Sequence, residues 1–358
     1  MEIGITTFAE TTTDPSTGKP FNPASRLANL LEEIQLADQV GLDVFGVGEH
    51  HRPDFAAPSP AVILGAASAV TKQIRLSSAV TVLSTDDPVR VFEGFSTVDL
   101  LSNGRAEIWA GRGSFTESYP LFGYDLNDYD QLFADKLDLL LKLREDERVT
   151  WSGLGRAPID NLGVYPRPLQ QPLPVWIAVG GNPNSVMRAG RLGLPLVLAI
   201  IGGEPRRFTP LIDLYRESAR TARHDLVKLP VAINSHGFIA DDAATAIETF
   251  YPPYAEVMTT IGGERGWPPM TRGRFEALRS PAGSLLIGSP QEVTEKMLNE
   301  HEIFKYDRFL MHLSVGTMPH DKLMRAIELL GTEVAPAVRK ALSGASTRAG
   351  AEPLAAVR

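Results

Sequence analysis

Short apolar runs alternate with longer segments of helical period along the chain of 358 residues. The short runs are rich in β-branched residues, which is typical of strands, whereas apolar residues spaced by three and four indicate amphipathic helices. Residues 24–40 are a clear example of the helical pattern. Asn22 and Pro23 supply a cap and a first-turn proline at its start, and Gly41 supplies a stop at its end. The chain therefore reads as a regular succession of strands and helices.

Eight strands are predicted from this pattern. They lie at residues 2–8, 43–49, 74–83, 105–111, 175–181, 194–200, 230–240 and 307–314. Helices are predicted at residues 24–40, 60–71, 88–101, 126–146, 184–192, 205–222, 241–260, 290–304 and 319–341. Repeated strand–helix units imply parallel pairing, and eight units in one series favour a closed barrel over an open doubly wound sheet. The sequence therefore predicts an α/β fold, a (β/α)8 TIM barrel with insertions.

Two stretches interrupt the alternation, and we expect both to be insertions in a single domain of residues 1–341. Residues 147–173 contain several prolines and read as a hairpin or an irregular excursion. Residues 262–283 are polar and rich in glycine and proline, and a loop of this length in a compact domain is more often a lid than a spacer. The tail at residues 342–358 lacks an apolar stripe and is expected to be flexible.

Composition narrows the classes of function. Lys and Arg number 35 against 43 for Asp and Glu, so the net charge of −8 argues against a nucleic-acid partner, which needs a basic face. The chain has no cysteine, which excludes disulfides, thiolate metal sites and cysteine nucleophiles. The first residues lack the features of a signal peptide, and no window is apolar enough for a membrane span. A cytoplasmic protein without a membrane partner is expected.

The stretch GVGEHHRPDF at residues 46–55 resembles the beginning of a dinucleotide-binding fingerprint, because Gly46 and Gly48 follow the start of a strand. The third glycine position holds His51, and a loop rather than a helix follows, so the match is weak. We interpret both glycines as strand residues that allow close packing. Tightly held NAD or FAD on a Rossmann unit and an ATP-type phosphate loop are disfavoured, since no complete fingerprint of either kind occurs.

Glu49, His50 and His51 stand where the second strand ends, which allows three interpretations. A metal site is the weakest, because strand alternation places Glu49 and His51 on one face and His50 on the other, and no HExxH motif occurs. Histidines hydrogen-bonded at a strand end are a better explanation. A histidine that acts as a general base is the third, since active sites of such barrels gather at the carboxyl ends of the strands. No metal site is therefore expected.

Two further stretches suit an anion. Arg112 lies between two glycines immediately after the fourth strand, where the backbone allows close approach of a phosphate. The turn at residues 179–182 leads into a helix whose first turn carries Asn184 and Ser185, and helix N-termini bind phosphate through free backbone N–H groups. A solvated arginine and a simply capped helix remain the alternatives. Both stretches belong to the same rim of the predicted barrel.

Several segments together resemble the flavin-dependent, bacterial luciferase-like monooxygenase family. They are MEIGITTF at the start of the chain, EHH at 49–51, the run at 79–115 with DPVR, VDLLSNGR and GRGSF, FGYD at 122–125, and the stretches at 175–196 and 287–297. They follow the family's order along most of the chain. The fold that the resemblance implies is again a (β/α)8 barrel with insertions.

The resemblance also implies roles for single residues. It assigns proton handling beside the flavin to His50, with His51 as a partly structural neighbour. It assigns the rest of the cofactor site to the segment that supports the isoalloxazine face, the arginine that binds the flavin phosphate and the phosphate-binding turn: Ala79, Val80, Thr81, Arg112, Gly180, Gly181, Asn182 and Ser185. Two departures from the light-emitting members are Gly111, where those have a reactive cysteine, and Phe115, where those have a tyrosine. Bioluminescence is therefore not expected.

The function implied by the resemblance is that of a two-component monooxygenase. Reduced FMN, supplied by a separate flavin reductase, and O2 would oxygenate a small organic substrate. A deazaflavin-dependent hydride-transfer oxidoreductase and a flavin-binding protein without turnover are the alternatives. The insertion at 262–283 is the candidate lid, and a solvated mobile loop is its alternative. Family members commonly form homodimers through their second and third helices, which are the predicted helices at 60–71 and 88–101.

Overall fold

A closed barrel of eight parallel strands forms the centre of the computed structural model, which describes residues 1–14 and 17–349. The strands are β1 (Glu2–Thr7), β2 (Val44–Val47), β3 (Arg75–Ser78), β4 (Ala106–Gly111), β5 (Val175–Val179), β6 (Leu196–Ile200), β7 (Val231–Ile239) and β8 (Arg308–His312). Each strand pairs in parallel with the next, and β8 pairs with β1 to close the barrel. The predicted TIM barrel is confirmed.

Helices connect the strands and cover the outside of the barrel. Those of eight or more residues are α1 (Pro23–Gln39), α2 (Pro60–Val70), α3 (Pro88–Ser102), α4 (Tyr129–Glu145), α5 (Pro183–Leu192), α6 (Thr209–Thr221), α7 (Ala243–Glu264), α8 (Arg272–Arg279), α9 (Pro290–Phe304), α10 (His320–Leu329) and α11 (Ala335–Ala349). The predicted cap of α1 is confirmed, because the Asn22 side chain accepts hydrogen bonds from the backbone N–H groups of Ala24 and Ser25. None of the helices within the described ranges is long and apolar enough to cross a membrane.

The third strand is interrupted, which the sequence did not predict. Ser77 pairs with Glu107, and the next pairing is Thr81 with Ala110, so four steps on one strand face three on the other. One extra residue opposite a regular strand is a β-bulge, which re-aims the side chains around it. The extra residue falls at Ala79 and Val80, whose peptide bond is cis. The prediction of one continuous strand at 74–83 is therefore wrong at its centre.

The two interruptions of the alternation both contain secondary structure. In the first, strands Arg148–Trp151 and Ile159–Gly163 form an antiparallel hairpin. In the second, α7 extends to Glu264 and α8 follows a short turn, capped by Thr271, so this segment is more helical than its composition indicates. At the end of the chain α11 runs to Ala349, so residues 342–349 of the predicted tail are helical. Residues 350–358 lie outside the described part of the chain.

Strand alternation fills the amino end of the barrel with large side chains. Trp109, Trp176 and Leu310 belong to one buried cluster inside the barrel. Beneath them the side chains of Arg308 and Glu107 are 3% and 1% exposed and form an ion pair, and the Arg308 guanidinium lies 4.3 Å from the Trp176 ring centroid. Inward positions nearer the carboxyl ends carry smaller or polar residues. The barrel is therefore closed at one end and hollow at the other.

The buried ion pair gives a test of this arrangement. Glu107→Ala leaves the Arg308 charge without its most buried partner, so we expect the free energy of unfolding to fall by about 3 kcal/mol. Urea denaturation followed by far-ultraviolet circular dichroism measures the change. The control is Glu217→Ala, which removes an exposed partner of Arg220 and should cost less than about 0.5 kcal/mol. Equal losses in the two variants would contradict a structural role for the buried pair.

Candidate active site

A cavity of about 660 Å³ opens at the carboxyl ends of the barrel strands. Its wall follows the alternation of inward positions. The residues are Thr6 in β1 and Phe8 just after it, Trp109 and Gly111 in β4, Ala178 in β5 and Gly180 just after it, Val197 and Ala199 in β6, Asn234 and His236 in β7, and His312 in β8. Side chains two positions apart on a strand point to the same face. The same period that packs the core therefore builds the cavity.

The structure brings most of the predicted site residues to this one cavity. Its wall includes His50, Ala79, Val80, Arg112, Gly180, Asn182 and Ser185. Thr81 and Gly181 lie beside the cavity rather than on its wall. Thr81 is buried with a hydroxyl that has no hydrogen-bond partner, and Gly181 occupies the positive-φ region with φ of 118°. The bulge in β3 explains why neighbouring Ala79 and Val80 both face the cavity.

Glu49 and His51 tie the end of β2 to the bulge. The His51 ring nitrogen Nε2 lies 2.8 Å from Glu49 Oε1, and the other carboxylate oxygen accepts a hydrogen bond of 2.8 Å from the backbone N–H of Val82. Glu49 also donates its own N–H to the Val80 carbonyl. These two side chains therefore have structural partners. No cluster of three or more potential metal ligands occurs among the residues that the structure describes.

His50 is surrounded by aromatic rings instead of polar groups. Its ring centroid lies 4.3 Å from that of Phe8, 4.5 Å from Phe55 and 5.0 Å from Phe115. Burial, together with the nearby His312, lowers the pKa of His50 to about 3. The imidazole is therefore neutral near pH 7.

The tight packing around this strand end depends on two glycines. A Cβ atom on Gly46 would lie 2.7 Å from the Ala79 Cβ, and one on Gly48 would overlap the Phe8 ring. The close packing predicted for both glycines is confirmed, but only Gly46 lies in β2, since Gly48 directly follows its end. Gly111 is subject to the same constraint, because its Cβ would lie 2.6 Å from a Val80 methyl group. A cysteine therefore has no room at position 111.

Several hydrogen-bonded polar side chains form another part of the cavity wall, and the sequence did not predict them. His312 Nε2 lies 3.2 Å from Glu10 Oε1, and its Nδ1 lies 3.1 Å from the Thr6 hydroxyl. Asn234 donates a hydrogen bond of 2.8 Å to that hydroxyl. His236 lies beside them with a buried Nδ1 that has no hydrogen-bond partner, and burial lowers its pKa to about 3. Position at strand ends was the available signal, since His236 and His312 both fall in the last part of a predicted strand.

The anion-suited stretches lie together on the opposite part of the wall. Arg112 follows β4, and its guanidinium lies 4.8 Å from the Tyr129 ring centroid and pairs with Asp130. The Asn182 side chain caps α5 by accepting a hydrogen bond of 3.2 Å from the Ser185 N–H. A Cβ on Gly180 would meet no atom within 4 Å, so the backbone there is open to the cavity. This part of the wall can hold a phosphate.

The end of α7 is fastened over the mouth of the cavity. Arg52, which follows the EHH stretch, donates hydrogen bonds of 2.7 and 2.9 Å to the Glu264 carboxylate and one of 2.5 Å to Glu117. Arg265 donates to the Ser114 carbonyl, and its guanidinium lies 5.1 Å from the Phe115 ring centroid. Three segments from different strand ends are thereby joined above the cavity.

Comparisons with known proteins give a matching family model and related proteins. The family model described as luciferase-like monooxygenase matches residues 1–304. The oxygenase component of flavin-dependent trigonelline monooxygenase from Acinetobacter baylyi is 23% identical over 325 residues, covering 86% of this chain and 89% of that protein.

Two solved structures share the fold of this chain. The oxygenating constituent of 3,6-diketocamphane monooxygenase from Pseudomonas putida, in complex with FMN, has a TM-score of 0.75 at 19% identity, covering 94% of this chain and 98% of that one. The coenzyme F420 dependent tetrahydromethanopterin reductase from Methanopyrus kandleri has a TM-score of 0.70 at 19% identity, covering 94% and 98% of the two chains. Oxygenating and deazaflavin-dependent enzymes are thus both represented on this fold.

The lowered pKa of His50 predicts a pH dependence of stability. Between pH 3 and 6.5 the unfolded chain binds a proton at His50 that the folded chain does not, so stability falls as the pH is lowered through this window. His50→Asn should therefore lose about 1 to 2 kcal/mol less than the wild type between pH 7 and pH 5. Urea unfolding at the two pH values measures the difference.

The control for this measurement has the opposite sign. The carboxylates of Glu33 and Glu32, which lie 3.4 and 3.0 Å from its ring nitrogens, raise the pKa of His320. Its contribution to stability is therefore present below pH 6.5 and is lost as the pH rises through the folded pKa. His320→Gln should therefore enlarge the loss on acidification. An unchanged loss in His50→Asn would show that His50 is protonated in the folded protein at pH 5.

Proposed function

Because the chain belongs to the luciferase-like monooxygenase family, we propose that it is the oxygenase of a two-component system. In this proposal it uses O2 and reduced FMN, supplied by a separate flavin reductase, to oxygenate a small organic substrate. One observation carries the proposal: a single cavity joins an anion-suited wall at Arg112 and α5 to an apolar wall and to a neutral His50. A flavin mononucleotide has the corresponding parts, a phosphate at one end and a ring system at the other.

The residues on the wall fit that cofactor. Arg112, the open backbone at Gly180 and the start of α5 at Asn182 and Ser185 would hold the phosphate. Ala79 and Val80, presented by the bulge, would support the flavin ring. Bound FMN supplies the oxygen chemistry, while the protein supplies binding, orientation and exclusion of water.

His50 would handle a proton of the reacting groups. Its imidazole is neutral near pH 7, and the rings of Phe8, Phe55 and Phe115 occupy the space where water would otherwise compete. A positioned general base typically contributes about 10² to 10⁴ to the rate. Removal of the imidazole should therefore affect turnover more than cofactor binding.

The substrate would occupy the part of the cavity between His50 and the polar group around Glu10. Val257, Met258 and Ile261 from α7 give this part an apolar side, and His312 and His236 give it hydrogen-bonding groups. We infer a mainly apolar substrate with at least one polar substituent. The fastened end of α7, with Arg265 and Trp267 on the cavity wall, would act as the lid that shields the reaction.

The proposed assembly is a homodimer through α2 and α3. Val62, Ala66, Ala69 and Val70 are exposed on α2 at spacings of four, three and one, which places them on one face. Leu100 and Leu101, at the end of α3, are 47% and 64% exposed. Because α2 and α3 also pack against each other, these side chains can form one apolar surface.

The function is tested by cofactor binding and oxygen uptake. Titration of the purified protein should show tighter binding of FMN than of a deazaflavin cofactor, and addition of a general flavin reductase should give substrate-dependent oxygen uptake. Aldehydes, alkanesulfonates and small aromatic compounds form the first substrate panel. A clear preference for the deazaflavin would contradict the proposal and favour hydride transfer.

The His50→Ala variant locates the chemistry in these assays. We expect it to lower coupled oxygenation by about 10²-fold or more and to change FMN affinity by much less. The split arises because an imidazole that only handles a proton contributes little to ground-state binding. Equal losses in both quantities would mean that His50 is a cofactor-binding residue. If the wild type itself binds FMN without any oxygen uptake, the protein is better explained as a flavin carrier.

The dimer is tested by the molar mass in solution. Val62→Asp combined with Leu101→Asp places charges on the proposed apolar surface, so light scattering after size exclusion should change from a dimer to a monomer. Val227→Asp is the matched control, since Val227 is 92% exposed and lies outside this surface. A wild-type monomer would reject the proposed assembly.

A further inference from the structure

Two guanidinium groups lie side by side along α4. The Arg112 guanidinium is 4.8 Å from the ring centroid of Tyr129, and the Arg188 guanidinium is 5.3 Å from that of Phe133. Tyr129 and Phe133 are four residues apart on a helix and therefore lie on one face, one turn from each other. The two positive charges thus share a short stretch of the same helix surface, although they come from different strand ends.

These charges are poorly compensated. Asp130 pairs with Arg112, but the Asp130 side chain is 76% exposed. The Nη1 atom of Arg188 is buried without a hydrogen-bond partner. Burial lowers the pKa of Arg188, and the charge of Arg112 adds to this effect. Two neighbouring cations with one exposed carboxylate and a buried unpaired N–H group indicate that an anion completes this arrangement.

The position of Arg188 on α5 directs it to the anion-suited wall. Arg188 lies three residues after Ser185, so both are on the same face of the helix. Side chains in a helix lean toward its N-terminus, which carries the Arg188 guanidinium back toward the turn at Gly180 and Asn182. Arg188 does not line the cavity itself; its guanidinium lies over Phe133, next to Arg112, which lines the wall together with Asn182 and Ser185.

We propose that Arg188 is a second phosphate-binding residue and that, with Arg112, it selects a terminal phosphate monoester over a phosphodiester. This inference rests on the proposed function, because it concerns the cofactor of the same cavity. A phosphate monoester such as that of FMN carries a charge near −2 at pH 7, whereas a diester, as in a deazaflavin cofactor with an extended tail, carries −1. Two guanidiniums match the dianion. The Asp130 carboxylate pairs with Arg112 in place of this anion, and the phosphate displaces it on binding.

Binding of oxidised FMN and of riboflavin, measured by quenching of flavin fluorescence, tests the role of Arg188. Riboflavin is the matched ligand because it lacks only the phosphate. Arg188→Met keeps an apolar stem against Phe133, and we expect it to weaken FMN binding by about 10- to 100-fold while riboflavin binding stays unchanged. Arg188→Lys should recover part of the loss. The control is Arg191→Met on the same helix, which is exposed and should change neither affinity.

Asp130→Asn tests the displaced carboxylate. Because it removes a competitor of the phosphate, it should tighten FMN binding by about two- to fivefold and leave riboflavin binding unchanged. Inorganic phosphate should compete with FMN in the wild type and less well in Arg188→Met. Circular dichroism confirms that each variant is folded before its affinity is compared.

The outcomes separate this inference from the function on which it rests. If the wild type binds FMN and Arg188→Met loses FMN and riboflavin affinity equally, or loses neither, Arg188 is not a phosphate-binding residue and the proposed function stands. If the wild type prefers the diester cofactor to FMN, both fail. Weaker FMN binding in Asp130→Asn would overturn the displacement of Asp130 alone.

Discussion

Alternation of inward positions in a closed barrel is the constraint on which the rest of this structure depends. On β8 three successive inward residues, Arg308, Leu310 and His312, form in turn a buried ion pair, part of the core and part of the cavity wall. The large groups at the amino end stabilise the barrel and exclude water there. Because one period serves all three purposes, the site inherits the rigidity of the core and needs no separate scaffold.

Local patterns in the sequence were sufficient for the barrel but not for its irregularities. Apolar runs and helical stripes are properties of neighbouring residues, so the eight strands and their order could be predicted. The bulge at Ala79 and Val80 depends on the register between two strands, which is settled only when β3 and β4 meet. The helix Arg272–Arg279 was missed because its residues are mostly polar and its stability comes from a Thr271 cap and from Phe275 buried against its neighbours.

The candidate site likewise contains residues that their position in the sequence predicts and residues that only the fold brings together. His50, Arg112 and the turn at Gly180 follow predicted strands directly, so position alone marked them. Glu10 and His312 are 302 residues apart, and their contact exists only because β8 pairs with β1. Arg188 carried no signal in the sequence, since an arginine in an amphipathic helix is ordinarily solvated. Its proposed role depends on Arg112, which the fold places on the same helix surface.

The bulge also restricts how this cavity can change during evolution. Val80 occupies the space that any side chain at position 111 would need, so the two positions cannot vary independently. A cysteine on this part of the cavity wall becomes accessible only after residue 80 has first become smaller or the extra residue of the bulge has been lost. The order of substitutions is therefore fixed, and a single mutation at Gly111 meets a steric barrier from this background.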